Sequence, residues 1–334
     1  MCLYFVTYTV LAQNISQSQI ENWVKIADTY YLDDENYSKA FEYYMKAANA
    51  GSPEGQYMVG KMFLDGDGVL QSYSSAITWL KKAAAQDDTE AMYLLGVAYH
   101  NIHLDNIAVE WYRKAAKSGN INGRNNLAIC YIKGEGITQD VSEGMKWFVY
   151  DNPESLYIVG TLYLLGSEKV YGKIGVQQDV MKGLEYLRKA AEQDYVSAQT
   201  QLGLALAYGE ELVGPSTANI QNVTEGVRWL HKAAEQGDDL AQFKMGCIYL
   251  LGSVEECGVF GVSQNITEGM KWIRKAAEQG DDFAQFSLGC IYLLGSVEFI
   301  GSPGVSKNVT EGKKWISKAA EQGNEAARIL LEKY

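Results

Sequence analysis

Three stretches late in the chain repeat one order of apolar and polar positions. They are Gly226-VRWLHKAAEQGDDLAQFKMGCIYLLGS, Gly269-MKWIRKAAEQGDDFAQFSLGCIYLLGS and Gly312-KKWISKAAEQGNEAARILLEKY. The same frame begins upstream at Gly183, Gly144, Ala108, Ala76 and Ala40, so the eight starts are separated by 36, 32, 36, 39, 43, 43 and 43 residues. Periods of this size mark stacked repeats, in which each unit is too small to bury its apolar face alone. Each unit reads as two helices. In the sixth, helix A is predicted over about 223–236 and helix B over about 240–251. Gly237 and Gly252 follow them, where a left-handed residue ends a helix cheaply.

The recurring positions carry their own predictions. Asn222-Val-Thr-Glu225 places a cap residue three before a Glu, the pattern of a capping box, and it recurs at Asn265 to Glu268, Asn308 to Glu311 and Asp140 to Glu143. Three residues after each start stands an aromatic: Tyr43, Trp79, Trp111, Trp147, Tyr186, Trp229, Trp272 and Trp315. One ring per repeat at one place predicts a core ladder. Helix B carries Gly60, Gly96, Gly160, Gly203, Gly246 and Gly289, with Ala128 in the third repeat. A glycine inside a helix costs ~1 kcal/mol relative to Ala. Its recurrence predicts another helix passing close by, facing the Ala-Ala pairs such as Ala233-Ala234.

Some segments depart from the pattern. Residues 17–39 read as a lone B-type helix that caps the N-terminal end. In the fourth repeat Trp147 to Gly160 spans 13 positions where other units span 17, so about one turn is missing along with Lys-Ala-Ala. Asn152-Pro153 then reads as cap and first residue of helix B, and a kink is expected there. The later connections are long and contain apolar residues, among them Tyr171, Ile174, Phe260, Phe299 and Ile300. Insertions on one edge of a solenoid suit either a binding ridge or extra core.

Composition narrows the partners. The 334 residues carry a formal charge of −12, which repels phosphate backbones and excludes nucleic acid as an expected partner. A basic partner fits better. Residues 2–12 are apolar and uncharged, and Val10 and Ala12 stand where a signal peptidase would cut before Gln13. The expected organisation is therefore 1–12 a signal peptide, 13–39 a capping helix and 40–334 the repeat solenoid. The compartment expected is periplasmic or secreted, in a bacterium. No stretch is long and apolar enough to span a bilayer. Four cysteines follow residue 12; Cys247 and Cys290 occupy the same position in neighbouring repeats, which suits small core residues.

Candidate chemistry is sparse. Nucleophile elbow, phosphate loop, dinucleotide fingerprint and HExxH are all missing, and Ser317 is followed directly by Lys318 rather than forming Ser-x-x-Lys. His231 stands where the next repeats place Arg274 and Ser317, as on a solvated face. His100, His103 and Asp105 share a short loop at a spacing poorly suited to a metal. Three of the five Asn-x-Ser/Thr sequons, at Asn222, Asn265 and Asn308, coincide with helix caps, which explains them without sugar. No catalytic residue, cofactor or metal is expected.

The Ala/Gly start, the Trp or Tyr, Lys-Ala-Ala, Glu-Gln-Gly, Ala-Gln and the helix-B Gly with its Tyr three later resemble the Sel-1-like repeat family over roughly residues 17–334. The resemblance implies an all-α fold: an α-solenoid, a right-handed superhelix of seven to eight helix-turn-helix repeats of 32–43 residues. Its concave face, lined by A helices, would bind partners. The expected function is a non-catalytic, monomeric protein-binding scaffold. The alternative is an exported immunity protein that neutralises a toxin, for example a lipase-type effector. With Trp and Ala-Ala facing inward, helical spacing turns Arg228, His231, Lys232 and Glu235 outward, and Lys271, Arg274, Lys275 and Glu278 in the next unit. Of these, Arg228, His231, Lys232, Lys271 and Arg274, together with the loop residues Phe260 and Phe299, form the expected partner site, between repeats five and seven, since aromatics and Arg dominate hot spots.

Overall fold

A computed structural model describes residues 15–209, 222–252, 263–295 and 305–332; among these every regular element is helical. Helix A spans Tyr37–Asn49, Tyr73–Ala84, Asp105–Lys117 and Val141–Trp147 in repeats one to four. It spans Val180–Glu192, Val223–Glu235, Ile266–Gln279 and Val309–Glu321 in repeats five to eight. Helix B spans Pro53–Asp65, Thr89–Asn101, Ile121–Lys133, Pro153–Leu165, Val196–Tyr208, Asp239–Leu251, Asp282–Leu294 and Glu325–Leu331. Ahead of them Gln17–Asp28 is a lone helix that runs on as a π turn through Asp33. The chain divides into two compact units, residues 1–149 and 150–334. The division falls inside the fourth repeat. There helix A stops at Trp147, Phe148 turns extended, and Asn152 caps a helix B that opens on Pro153.

The start of helix A is only half a capping box. Asn222 Oδ1 accepts from Glu225 N–H at 3.1 Å, as do Asn265 from Glu268 and Asn308 from Glu311, and Asp140 from Glu143 at 2.9 Å. The cap residue's own N–H goes elsewhere. Asn222 donates to Leu206 O at 3.0 Å, Asn265 to Tyr249 O and Asn308 to Tyr292 O at 2.8 Å, and Asp140 to Tyr131 O at 2.9 Å. Each acceptor lies on the preceding helix B. The donor a capping box would satisfy with Glu instead ties one repeat to the next, and the carboxylate is left for other work.

Two of the packing expectations are corrected. The mid-B glycines do not face the Ala-Ala pairs. A Cβ built on Gly203 would lie 2.9 Å from Gly226 O and Leu230 N, and one on Gly246 2.9 Å from Ile273 N. The close neighbour is the next repeat's helix A, at its start and at the residue four further on. The Ala-Ala pair meets the first turn of its own helix B instead: a Cβ on Gly123 would stand 2.7 Å from Ala115 Cβ. The aromatic ladder is also shallower than a core ladder. Only Trp272 and Trp315 are buried, at 3% and 4% exposure, while Tyr43, Trp79, Trp111, Trp147, Tyr186 and Trp229 are half-buried. The deepest A-helix side chain is the next one along: Tyr44, Leu80, Leu187, Leu230, Ile273 or Ile316, each at 0–1% exposure. It fills the space that the mid-B glycine leaves.

Candidate partner-binding face

In unit two, the A helices of successive repeats touch through side chains, so their outward residues form one surface. Arg188 of repeat five donates from Nη2 and Nε to Glu225 Oε1 of repeat six at 2.8 and 3.3 Å. Lys232 Nζ lies 2.6 Å from Asp194, and the His231 ring meets Trp272 of repeat seven edge to face at 5.7 Å. Glu225 is the carboxylate that the cap released. Burial alone would raise it, but hydrogen bonds from Arg188 and from Trp229 Nε1 hold it below the usual carboxylate range.

The helices that carry this surface are braced from behind by glutamines. Gln242 Nε2 donates to Ala234 O at 3.1 Å, at the end of its own helix A, and its Oε1 accepts from Gln279 Nε2 of the next repeat at 2.8 Å. Gln199 with Gln236 and Gln285 with Gln322 repeat the bracket in unit two, and Gln56 with Gln86 makes it in unit one. The sequence reading missed this. Its signal was the Ala-Gln and Glu-Gln-Gly motifs, whose glutamines stand 37 residues apart in repeats five to eight.

The expected site residues divide into two groups. Arg228, His231, Lys232, Lys271 and Arg274 lie on the A helices of repeats six and seven, Arg228, Lys232 and Lys271 exposed and His231 and Arg274 half-buried. His231 is less free than a solvated residue: besides Trp272 its Nδ1 lies 3.6 Å from Glu235. Lys232 lies over the Trp229 ring, Lys271 pairs with Glu268 at 3.0 Å, and Arg274 donates to the Tyr292 hydroxyl of helix B. Phe260 and Phe299, along with residues 1–12, expected to be a signal peptide, lie outside the described residues. Of the long connections, the one after repeat four is described in full. It forms a short helix, Ser167–Tyr171, with Ile174 exposed and Val176 buried, beside a groove of about 420 Å³.

Other candidate chemistry stays local. His100 Nδ1 lies 2.7 Å from Asp105 Oδ1, and no group of three or more His, Cys, Asp or Glu among the described residues is placed to hold a metal. Burial pushes the Cys130 thiol up to about 12 and the Cys290 thiol up to about 11; Cys130 is buried, while Cys247 and Cys290, expected in the core, are half-buried at its edge. No helix among the described residues is long and apolar enough to cross a membrane.

Comparison with known proteins agrees with this architecture. A family model for the Sel1 repeat matches residues 31–52, 53–88, 89–101, 105–120, 122–149, 153–195, 196–238, 239–281 and 283–324. Chitin synthase regulatory factor 3 of Schizosaccharomyces pombe is 29% identical over 175 residues, 50% of this chain and 19% of that protein. DAP3-binding cell death enhancer 1 of Mus musculus is 36% identical over 176 residues, 41% of this chain and 34% of that protein. The chain thus spans 19% and 34% of the length of these relatives. Among solved structures, c5321, a protective antigen of uropathogenic Escherichia coli with an SLR fold, superposes with a TM-score of 0.53 at 30% identity, over 93% of this chain and 63% of that one. A Sel1 repeat protein from Oxalobacter formigenes superposes with a TM-score of 0.56 at 23% identity, over 95% of this chain and 87% of that one.

Proposed function

The chain belongs to the Sel1 repeat family, and from that premise we propose that it is a non-catalytic scaffold that holds another protein along its A helices. The observation that carries this reading is the in-register A-helix face of unit two. Its inward side is fixed by glycine contacts and glutamine brackets, while its outward side keeps a cation at Arg228, Lys271 and Lys314 and varies at His231, Arg274 and Ser317. In a solenoid each repeat packs only on its neighbours, so outward side chains that the packing leaves exposed, such as Arg228 and Lys271, are free to serve recognition. Two of the relatives are named for regulating an enzyme and for binding a protein, which agrees with this role. The site we assign lies between repeats five and seven, on Arg228, His231, Lys232, Lys271 and Arg274, with Phe260 and Phe299 flanking it in sequence.

The uncharged apolar stretch 2–12 supports export, and a reporter active only outside the cytoplasm, fused after residue 20, tests that. For the binding role the test is capture from a native envelope extract by the full chain and by R228A/K271A/R274A. The variant is expected to lose the captured protein at least about tenfold, a hot-spot-sized effect, at unchanged helical content. Equal capture would remove the A-helix face from the function. An immunity role would show as rescue of cells from the toxin that is captured.

A further inference from the structure

The chain as a whole is acidic, yet the outward A-helix face of repeats six to eight has the opposite sign. Its middle turns hold Arg228, His231 and Lys232, then Lys271, Arg274 and Lys275, then Lys314, Ser317 and Lys318. The carboxylates of these helices stand at the ends, Glu225, Glu268 and Glu311 in the first turn and Glu235, Glu278 and Glu321 in the last. Part of the positive charge is answered within the fold: Lys232 by Asp194, Lys271 by Glu268 and Lys314 by Glu311. Arg228, Lys275 and Lys318 have no carboxylate at ion-pair distance among the described residues. The two lysines instead lie over indoles, 4.4 Å from the Trp272 centroid and 4.5 Å from that of Trp315. This holds each ammonium in place while leaving it exposed to a further anion.

One buried group is left waiting at the same place. Trp272 Nε1 has no hydrogen-bond partner among the described residues, and the ring is 3% exposed. Its counterparts Trp229 and Trp315 donate to the Glu four residues earlier, at 3.3 and 2.8 Å. For Trp272 that Glu is Glu268, and Lys271 holds both of its oxygens, at 3.0 and 3.4 Å. An incoming carboxylate on Lys271 exchanges the Glu268 ion pair for its own and frees a Glu268 oxygen for the indole, the arrangement repeat four already has, where Glu143 pairs with Lys146 through Oε2 and accepts from Trp147 Nε1 through Oε1.

We propose that this face binds an extended acidic peptide segment, with Arg228, Lys271, Arg274, Lys275, Lys314 and Lys318 as its cationic contacts. The proposal rests on the scaffold reading above and names the chemistry of the partner. An extended chain advances ~3.3 Å per residue, so Asp or Glu three positions apart stand about 10 Å apart and reach side chains of successive helices. The acidic remainder of the surface is screened beyond about 8–10 Å at physiological salt, which lets the local sign decide. The same face suits nucleic acid poorly. Trp272 and Trp315 lie buried under lysines and offer bases no stacking platform, and a continuous phosphate chain would run into the acidic remainder.

The test uses the full chain and a fluorescein-labelled peptide of about twelve residues, with Glu at every third position among Gly and Ser, followed by anisotropy. Binding is expected to weaken on adding salt, and to fall at least about tenfold in K275E/K318E, which reverses charges that make no ion pair among the described residues. K275Q/K318Q, which leaves no new repulsion on the helices, is expected to weaken it several-fold. Tryptophan emission should change on binding in the parent chain and lose most of that change in W272F. The proposal is overturned if the acidic peptide does not bind, if K275E/K318E binds it equally, or if a Lys-for-Glu peptide or a single-stranded oligonucleotide binds more tightly. Failure here with capture still sensitive to R228A/K271A/R274A removes only the charge assignment. Capture indifferent to that variant removes the scaffold site itself.

Discussion

Replacing Gln242 by Met should destabilise the chain by roughly 2 kcal/mol without changing its helices. The glutamine is 4% exposed and makes two hydrogen bonds, to Ala234 O at 3.1 Å and from Gln279 Nε2 at 2.8 Å. Each contributes about 0.5–1.5 kcal/mol net, and Ala234 O keeps only the longer bond from Gly237 N–H, at 3.2 Å, when the first goes. Methionine keeps the volume and stands at the equivalent position of the second repeat as Met92, so overpacking is not at issue. Gln279→Ala removes only the outer bond and should cost about 1 kcal/mol. A double-mutant cycle between the two should give a coupling of about 0.5–1.5 kcal/mol, read from urea unfolding by far-UV circular dichroism. Because the bond joins repeats six and seven, its loss should also broaden the transition, as expected when neighbour coupling in a repeat array weakens. A Gln242→Met variant within about 0.5 kcal/mol of the parent, the range of ordinary surface changes, would refute the bracket as a brace.

Three further outcomes follow from the packing and the charges. Leu230→Ala, at a fully buried site, should cost about 2–5 kcal/mol, while Trp229→Ala, at a half-buried one, should cost less and His231→Ala within about 0.5 kcal/mol of nothing; denaturant titration that ranks Trp229 above Leu230 would reject the depth assignment. Gly246→Ala should lower Tm although Ala favours a helix by ~1 kcal/mol, because its Cβ would stand 2.9 Å from Ile273 N; a raised Tm would disprove the close approach. Burial raises the Glu154 carboxyl, so the folded chain holds that proton more tightly than the unfolded one, and ionisation destabilises the fold at neutral pH. Glu154→Gln should therefore raise Tm at pH 7 and lose that advantage below about pH 4, where both states are protonated; equal Tm values across the range would refute the sign.

Much of the fold was legible because it repeats. Helix ends in the sixth repeat were predicted to within about a residue from Asn222, Gly237 and Gly252, since caps and left-handed glycines act locally. The short fourth helix was equally plain from one missing turn. What failed needed knowledge of which helix faces which. Trp229 is the largest A-helix side chain and so was assigned the core. Burial instead follows the surface opposite Gly203, and that surface meets Leu230. The capping Glu was legible as sequence but not as chemistry: its reciprocal bond is replaced by a backbone bond from Asn222 to Leu206, a partner no local pattern reveals. The candidate face was legible as outward positions. Its bracing by Gln242 and Gln279, and the pairing of Arg188 with Glu225, depend on repeats placed side by side.

The central claim is that the A helices of unit two are the recognition surface. Hydrogen–deuterium exchange on the captured complex, compared with the free chain, tests it most directly. The account predicts that added protection concentrates in Val223–Glu235, Ile266–Gln279 and Val309–Glu321, with the B helices between them little changed. Protection confined to the B helices, or to residues 1–149, would contradict it.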